Sequence, residues 1–264
     1  MSSSWKSLGR LLLIASVCGG CGERAAKPEA AATAVLGDCL AASDDATLTA
    51  AQAKARTAAP TERAAAWVAV GHAFVRVART RSTPLLYRNV EACADRALDA
   101  AADDSDALHL KGLVMMDEHR FKEARSLAER LIKRDGDDVG AWGLLSDASL
   151  ELGAIAEATQ AAQRMLDLKP SVLSYGRAAH LRFLAGDTTG ALEMYGLAIS
   201  SSRHLKDPEP GAWMIVQAAL VFLDKGDYAG AQAGFDAALR EIPKYQPALS
   251  GKQRLVQARA KASL

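Results

Sequence analysis

At 264 residues the chain is long enough to bury a sizeable core in one or two domains. Half of it is hydrophobic but only 5% is aromatic, and alanine dominates, a composition that favours closely packed helices over sheets. The formal net charge is +1 with acids and bases mixed along the chain, which excludes a nucleic-acid footprint and a polybasic membrane arm.

The first 20 residues stand apart from the rest. Lys6 and Arg10 precede an apolar run, Leu11 to Val17, and Cys18-Gly-Gly-Cys21 follows. The run is shorter than the roughly 20 apolar residues that span a bilayer. A short apolar run behind basic residues, ending in small ones, reads as a cleaved export signal. It ends at cysteine rather than at Ala-x-Ala, and in that respect it resembles the bacterial lipoprotein signal, whose cysteine is acylated and becomes the mature N-terminus. The resemblance implies a signal peptide over residues 1–20, lipidation of Cys21, and an exported, membrane-anchored protein of the cell envelope, at either the inner or the outer membrane. Gly19 and Gly20 suit processing at Cys21, whereas the bulkier Val17 before Cys18 makes that cysteine the alternative. The missing Leu three residues before Cys21 departs from the usual pattern. A plain secretory signal with incidental cysteines is the rival reading.

Residues 21–34 carry no large apolar side chain and read as a flexible tether. Residues 35–60 read as an N-terminal helical cap, with a helix from Ala46 to Ala59 ended by Pro60. From Thr61 an internal repeat sets in: Ala124 and Ala158, Gly112 and Ser146, and Gly136 and Pro170 are each 34 residues apart. In each unit apolar or small residues fall on one face of a first helix, and small residues mark a second helix that crosses it closely. Trp67, Gly71 and Phe74, then Ala94 and Ala97, form the first copy. Leu108, Gly112, Met115, Ala124 and Ala128 form the second, and Trp142, Ser146, Gly153, Ala158 and Ala162 the third. Tyr175, Ala179, Gly186, Ala191 and Ala198 form the fourth, and Ile215, Ala219, Gly226, Ala231 and Ala238 the fifth. The pattern is similar to the tetratricopeptide repeat, with five copies over residues 61–245 and a polar capping helix over 246–264. Three residues depart from it: Lys111 replaces an apolar residue, His119 a glycine and Arg182 a large apolar residue. The paired acids Asp44-Asp45, Asp103-Asp104 and Asp137-Asp138 stand at expected helix starts, where a carboxylate caps free N–H groups.

The resemblance implies an all-α fold, a right-handed superhelical solenoid of about twelve helices, and binding of peptides or other proteins in its groove. No metal-ligand spacing, nucleophile elbow, phosphate loop or dinucleotide fingerprint is present in the sequence, so no catalytic residue, metal or cofactor is expected. By register, the groove side of the first helices carries His72 and Arg76, His109 and Met116, Asp147 and Glu151, Arg177 and His180, then Gln217 and Leu220. A merely solvated helix face would look the same. Asp147 and His180 share one position on neighbouring first helices and are expected to meet, with Arg177 as a fork for an acidic or C-terminal carboxylate. Cys39 and Cys93 are a candidate disulfide in an exported protein, and a buried free thiol at Cys93 is the alternative. The resemblance therefore implies a non-enzymatic scaffold or adaptor at the bacterial envelope, with proteins or peptides and the membrane as partners and no nucleic acid. The rival readings are a subunit of an envelope machine (pilus assembly, outer-membrane protein insertion, peptidoglycan remodelling), and an enzyme or small-ligand binder using the histidines.

Overall fold

A computed structural model describes residues 36–262; the expected signal peptide with Cys18 and Cys21, and the expected tether, lie outside the described residues. The described residues form twelve α-helices and two short 3-10 turns, with no strand among them. In chain order the helices are α1 (Ala46–Thr57), α2 (Arg63–Arg81), α3 (Tyr87–Ala100), α4 (Ser105–Asp117), α5 (Phe121–Arg134) and α6 (Val139–Glu151). There follow α7 (Ile155–Leu168), α8 (Val172–Leu184), α9 (Thr188–Ser202), α10 (Glu209–Asp224), α11 (Tyr228–Glu241) and α12 (Gln246–Ala262). They divide into two compact units whose boundary falls inside α5, between Leu127 and Ala128.

In the unit of residues 36–127, Asp45 caps α1 by accepting from the Leu48 N–H at 2.9 Å. The helix stops at Thr57, two residues before the expected end, because Pro60 forces Ala59 into an extended conformation (ψ 154°) and opens a 3-10 turn, Pro60–Glu62. The hairpin of α2 and α3 follows, with Val70, Phe74, Val90, Ala94 and Ala97 in its core. Then α4 begins at Asp104, which accepts from the Ala107 N–H at 2.8 Å. Gly71 lets α4 press onto α2: a Cβ there would lie 2.5 Å from Leu110 Cδ1. Cys39 and Cys93 are joined in a disulfide across 54 residues, both fully buried. The bond ties the segment before α1 to α3. Buried Gln52 donates to the carbonyls of Cys39 and Ala41 (3.1 and 2.8 Å), and Asn89 donates to that of Asp38 at 2.7 Å, so three carbonyls of the crossing segment are met.

In the unit of residues 128–262, three hairpins (α6 with α7, α8 with α9, α10 with α11) pack in succession and α12 closes the end. Asp138, Asp187 and Asp227 cap α6, α9 and α11, and Ser171 forms a reciprocal capping box with Ser174 at the start of α8. Each hairpin has a small residue where its helices cross. Ser146, for example, is buried and donates to the Ala158 carbonyl at 2.9 Å. Tyr195, Phe235 and Tyr245 fill the spaces between, and Gly251 brings α12 so close to α11 that a Cβ there would lie 2.3 Å from Phe235 Cε1.

The three sequence anomalies each find a local answer. Lys111 Nζ reaches Asp95 Oδ1 at 2.6 Å and Glu91 Oε1 at 3.1 Å. Burial works against its charge, but the two carboxylates outweigh that and raise its pKa. Arg182 runs outward along its stem and meets Asp187 at 3.7 Å, its side chain half exposed. His119 takes the left-handed backbone (φ 59°) that glycine takes in the corresponding turns at Gly153, Gly186 and Gly226.

Candidate functional site

Each first helix turns a stripe of residues spaced by four, three and four positions to the same side, the spacing that keeps side chains on one helical face. In the unit of residues 36–127 the stripe on α2 holds His72 and Arg76, and that on α4 holds Asp106, Leu113 and Asp117. His72 is exposed. His109 lies beside this stripe, half-buried, its Nδ1 3.9 Å from Asp106 Oδ1 on the same helix. Arg76 does not face outward for a ligand. Its guanidinium is bonded to Asp45, so a residue expected to line a groove instead clasps the N-cap of α1. Burial opposes the charge of Asp45, but the Leu48 N–H and Arg76 outweigh it and hold its carboxyl below the ordinary range. Met116, also expected on this side, is buried at 1% exposure.

Asp117 closes α4 with one carboxylate oxygen, Oδ1, buried and without a hydrogen-bond partner. Burial pushes its pKa up to about 6, against the pull of His119 and with a smaller push from Glu118. Sequence reasoning missed this group; its position in the repeat, matching that of Arg76, was the available signal.

In the unit of residues 128–262 the stripe on α8 reads Leu173, Arg177, His180, Leu184, flanked by Leu144, Asp147 and Glu151 on α6 and by Trp213, Gln217, Leu220 and Asp224 on α10. Asp147 is engaged by Arg177, not by His180. Arg177 Nε donates to Oδ1 at 2.9 Å and Nη2 to Oδ2 at 2.7 Å, a two-pronged bond that uses both carboxylate oxygens. Both side chains are about one-fifth exposed, and the guanidinium lies over Gly143, where a Cβ would come within 3.2 Å of Cζ. The fork expected to hold a ligand carboxylate therefore already holds one.

His180 and Gln217 are interior, at 3% and 4% exposure, rather than on a solvated ridge. Burial drives the His180 pKa down to about 3, so its imidazole is neutral, and no protein group hydrogen-bonds its Nε2. Further along the same stripes stand apolar residues that charge-based reading passed over. Leu173 is 43% exposed, Trp213 is half-buried, and both take the first place in their stripes. Their helices meet at that end, since a Cβ on Gly176 would lie 2.6 Å from Met214 Sδ. No group of three or more His, Cys, Asp or Glu side chains with metal-binding geometry occurs among the described residues.

A tetratricopeptide-repeat family model matches residues 115–181. Among solved structures, a thermophilic TPR protein of Thermus thermophilus is similar, with 18% identity, a TM-score of 0.57, and coverage of 72% of this chain and 99% of that one. YrrB, a TPR protein with an unusual peptide-binding site, matches at 17% identity over 76% of this chain and 96% of its own, with a TM-score of 0.44. MamA matches at 19% identity over 70% and 94%, with a TM-score of 0.42. No curated protein sequence matches the chain. The likeness to the Thermus protein is one of fold alone, and the fold is an all-α solenoid of tetratricopeptide-type hairpins.

Proposed function

We propose that this chain is a non-enzymatic scaffold that binds proteins or peptides on the face of its first helices and is held at the bacterial cell envelope by a lipid on Cys21. The observation that carries the binding reading is the repeated stripe. In the unit of residues 128–262, three successive first helices place polar and apolar side chains in matching positions, among them a large apolar residue, Leu173, left 43% exposed. Stacked repeats supply extended surfaces of this kind, and recognition on them needs only a peptide or helix that matches the stripe. The envelope reading draws on the export-type N-terminus and on the Cys39–Cys93 disulfide, since disulfides persist in oxidising compartments and are rare in reducing ones.

Two measurements test this reading. Crosslinking in intact cells followed by purification from detergent-solubilised membranes should recover one or more partners in fixed stoichiometry. Recovery of the chain alone, with melting-temperature shifts on adding metabolites, would replace the scaffold with a small-ligand binder. Palmitate labelling should be lost in Cys21→Ser. Labelling that persists there and disappears in Cys18→Ser moves the anchor to Cys18, and labelling in neither wild type nor variants removes the lipid from the reading.

A further inference from the structure

In the unit of residues 128–262 the hairpin turns, at 152–154, 185–187 and 225–227, lie at one end, and the connections from α7 to α8, α9 to α10 and α11 to α12 lie at the other. Contacts tie these connections together. Tyr245 donates to Glu209 at 3.0 Å, a Cβ on Gly211 would lie 2.3 Å from Ser202 Oγ, and Val172, Ile199 and Trp213 share one apolar cluster. The α9–α10 connection is the longest of the three, and its residues Arg203, His204, Leu205 and Lys206 are all exposed. Leu205 and Leu197, the latter two turns back on α9, are the most exposed leucines among the described residues of the unit, at 46% and 45%. Lys169 and Lys244 stand on the neighbouring connections, exposed like Arg203 and Lys206, and none of the four makes an ion pair with any described residue. Arg164, Arg177, Arg182 and Lys252 of the same unit are, by contrast, each paired with an aspartate. Of the acids on these connections, Glu209 is buried and Asp207 accepts from the Glu209 N–H at 3.0 Å. Asp167 and Glu241 are exposed at the adjoining helix ends, the latter beside Arg240. The acidic connection 135–138 bounds the basic area on the side of α6.

We propose that this end of the unit rests on the surface of a bilayer containing anionic phospholipid, with Leu205 and Leu197 entering the headgroup region and the four unpaired cations meeting lipid phosphates. The charges are complementary, since anionic headgroups attract nearby lysines and arginines. The leucines decide between a bilayer and a rigid acidic partner. A lipid interface takes up an apolar side chain without a matching pocket, whereas a rigid partner must supply one. Long basic stems lie along the apolar layer while their heads stay among the phosphates. The contact weakens as salt screens it. It goes beyond the scaffold reading and does not need the lipid on Cys21.

The test uses the full chain, reconstituted from detergent with vesicles of equimolar phosphatidylglycerol and phosphatidylcholine or of phosphatidylcholine alone. A diazirine-bearing amino acid replaces Leu205 or, as a control, Lys225 in a hairpin turn at the other end of the unit. On illumination the label at position 205 should capture lipid at least tenfold more than the label at 225 in the anionic vesicles. Arg203→Glu combined with Lys206→Glu should cut that capture at least fivefold, with circular dichroism and melting temperature unchanged, and so should raised salt or phosphatidylcholine alone. Cys21→Ser should abolish flotation with phosphatidylcholine vesicles and leave capture at position 205 in the anionic ones. Failure of the flotation result alone overturns the lipid anchor, and failure of the capture result alone overturns this assignment. Equal capture at the two positions, or capture indifferent to charge reversal, overturns it. So does capture of a protein rather than lipid by position 205 in intact cells, which would give this end to an acidic protein partner.

Discussion

In the unit of residues 36–127 the outermost helix, α1, is held through the segment before it, by a covalent bond to α3 and by polar side chains that reach that segment from α2 and α3. In the unit of residues 128–262 the outermost helix, α12, is held by close approach. Each terminal helix buries only a few residues, Leu48, Gln52 and Ala55 on α1 and Ala248, Gly251 and Leu255 on α12. A helix inside a stack has neighbours on two sides, whereas a terminal one has a single neighbour and little burial to hold it. The deficit is met by the Cys39–Cys93 bond with the Arg76–Asp45 and Arg81–Asp44 pairs at one end. At the other it is met by the fit of Gly251 against Phe235, buried Tyr245 donating to Glu209 at 3.0 Å, and Lys252 reaching Asp236 at 2.7 Å. One end therefore depends on redox state and the other does not.

The largest effect should come from breaking the covalent end. A loop of 54 residues is closed by the disulfide, which by the loop-entropy account contributes about 4 kcal/mol. Cys93→Ser should lose most of this in denaturant titrations and should expose Lys54 and Arg56 on α1 to trypsin before Arg254 on α12. Equal midpoints for oxidised, reduced and Cys93→Ser protein, with Cys39 and Cys93 both reactive in the unreduced denatured chain, would remove the bond from the account. The converse variant, Gly251→Val, crowds Phe235 and should cost about 1–3 kcal/mol, loosening α12 identically with and without reductant. A redox-dependent loss in that variant would contradict the division of labour between the two ends.

Within the second unit, Arg177→Ala leaves Asp147 partly buried without its fork and should cost about 1–2 kcal/mol of stability. Arg177→Lys should recover less than half, because an ammonium cannot bond both oxygens at once. The first unit carries its own weak point in Asp117. Its folded pKa of about 6 lies above the ordinary carboxyl value, so the folded state holds its proton more tightly than the unfolded one. Stability therefore falls as pH rises from about 4 through 6, and the loss is complete above that window. Asp117→Asn should raise the melting temperature by about 2 °C at pH 7.5 and leave it unchanged at pH 4. A rise of equal size at both pH values would show that the carboxyl charge is not the cause.

The alternation of helices is readable in the sequence because capping acids and turn glycines punctuate it: Asp45, Asp104 and Asp138 stand at their helix starts, and Gly153, Gly186 and Gly226 in the turns. The partners of the face residues are not. Register tells which side of a helix a residue takes but not how deep it sits, so it puts His180 and Gln217 on the surface that Arg177 shares, though both are interior. The contact expected between Asp147 and His180 goes to Arg177, whose longer side chain crosses to α6 over the space left by Gly143. Arg76 escapes register for another reason. Its partner Asp45 is 31 residues earlier, and no periodicity tells that the segment before α1 folds back onto α2.

The smallest effect should come from His119. The turn from α4 to α5 is built like those after α6, α8 and α10. The Arg120 N–H reaches the Met115 carbonyl at 2.8 Å, as Ala154 reaches Ser149, Asp187 reaches Arg182 and Asp227 reaches Phe222, at 2.8, 2.9 and 2.9 Å. That closure demands a left-handed residue at its centre, where a side chain with a Cβ costs about 1 kcal/mol relative to glycine. Two contacts offset part of the cost at position 119. The imidazole packs edge-on against Phe121 with ring centroids 5.4 Å apart, and its charge favours ionised Asp117. His119→Gly trades these for an unstrained turn, and glycine also loses more unfolded-chain entropy. The balance should be a gain of about 0.5 kcal/mol. Melting curves of wild type and His119→Gly read this directly. A loss would mean that the contact with Phe121, rather than the backbone, decides the residue at this turn.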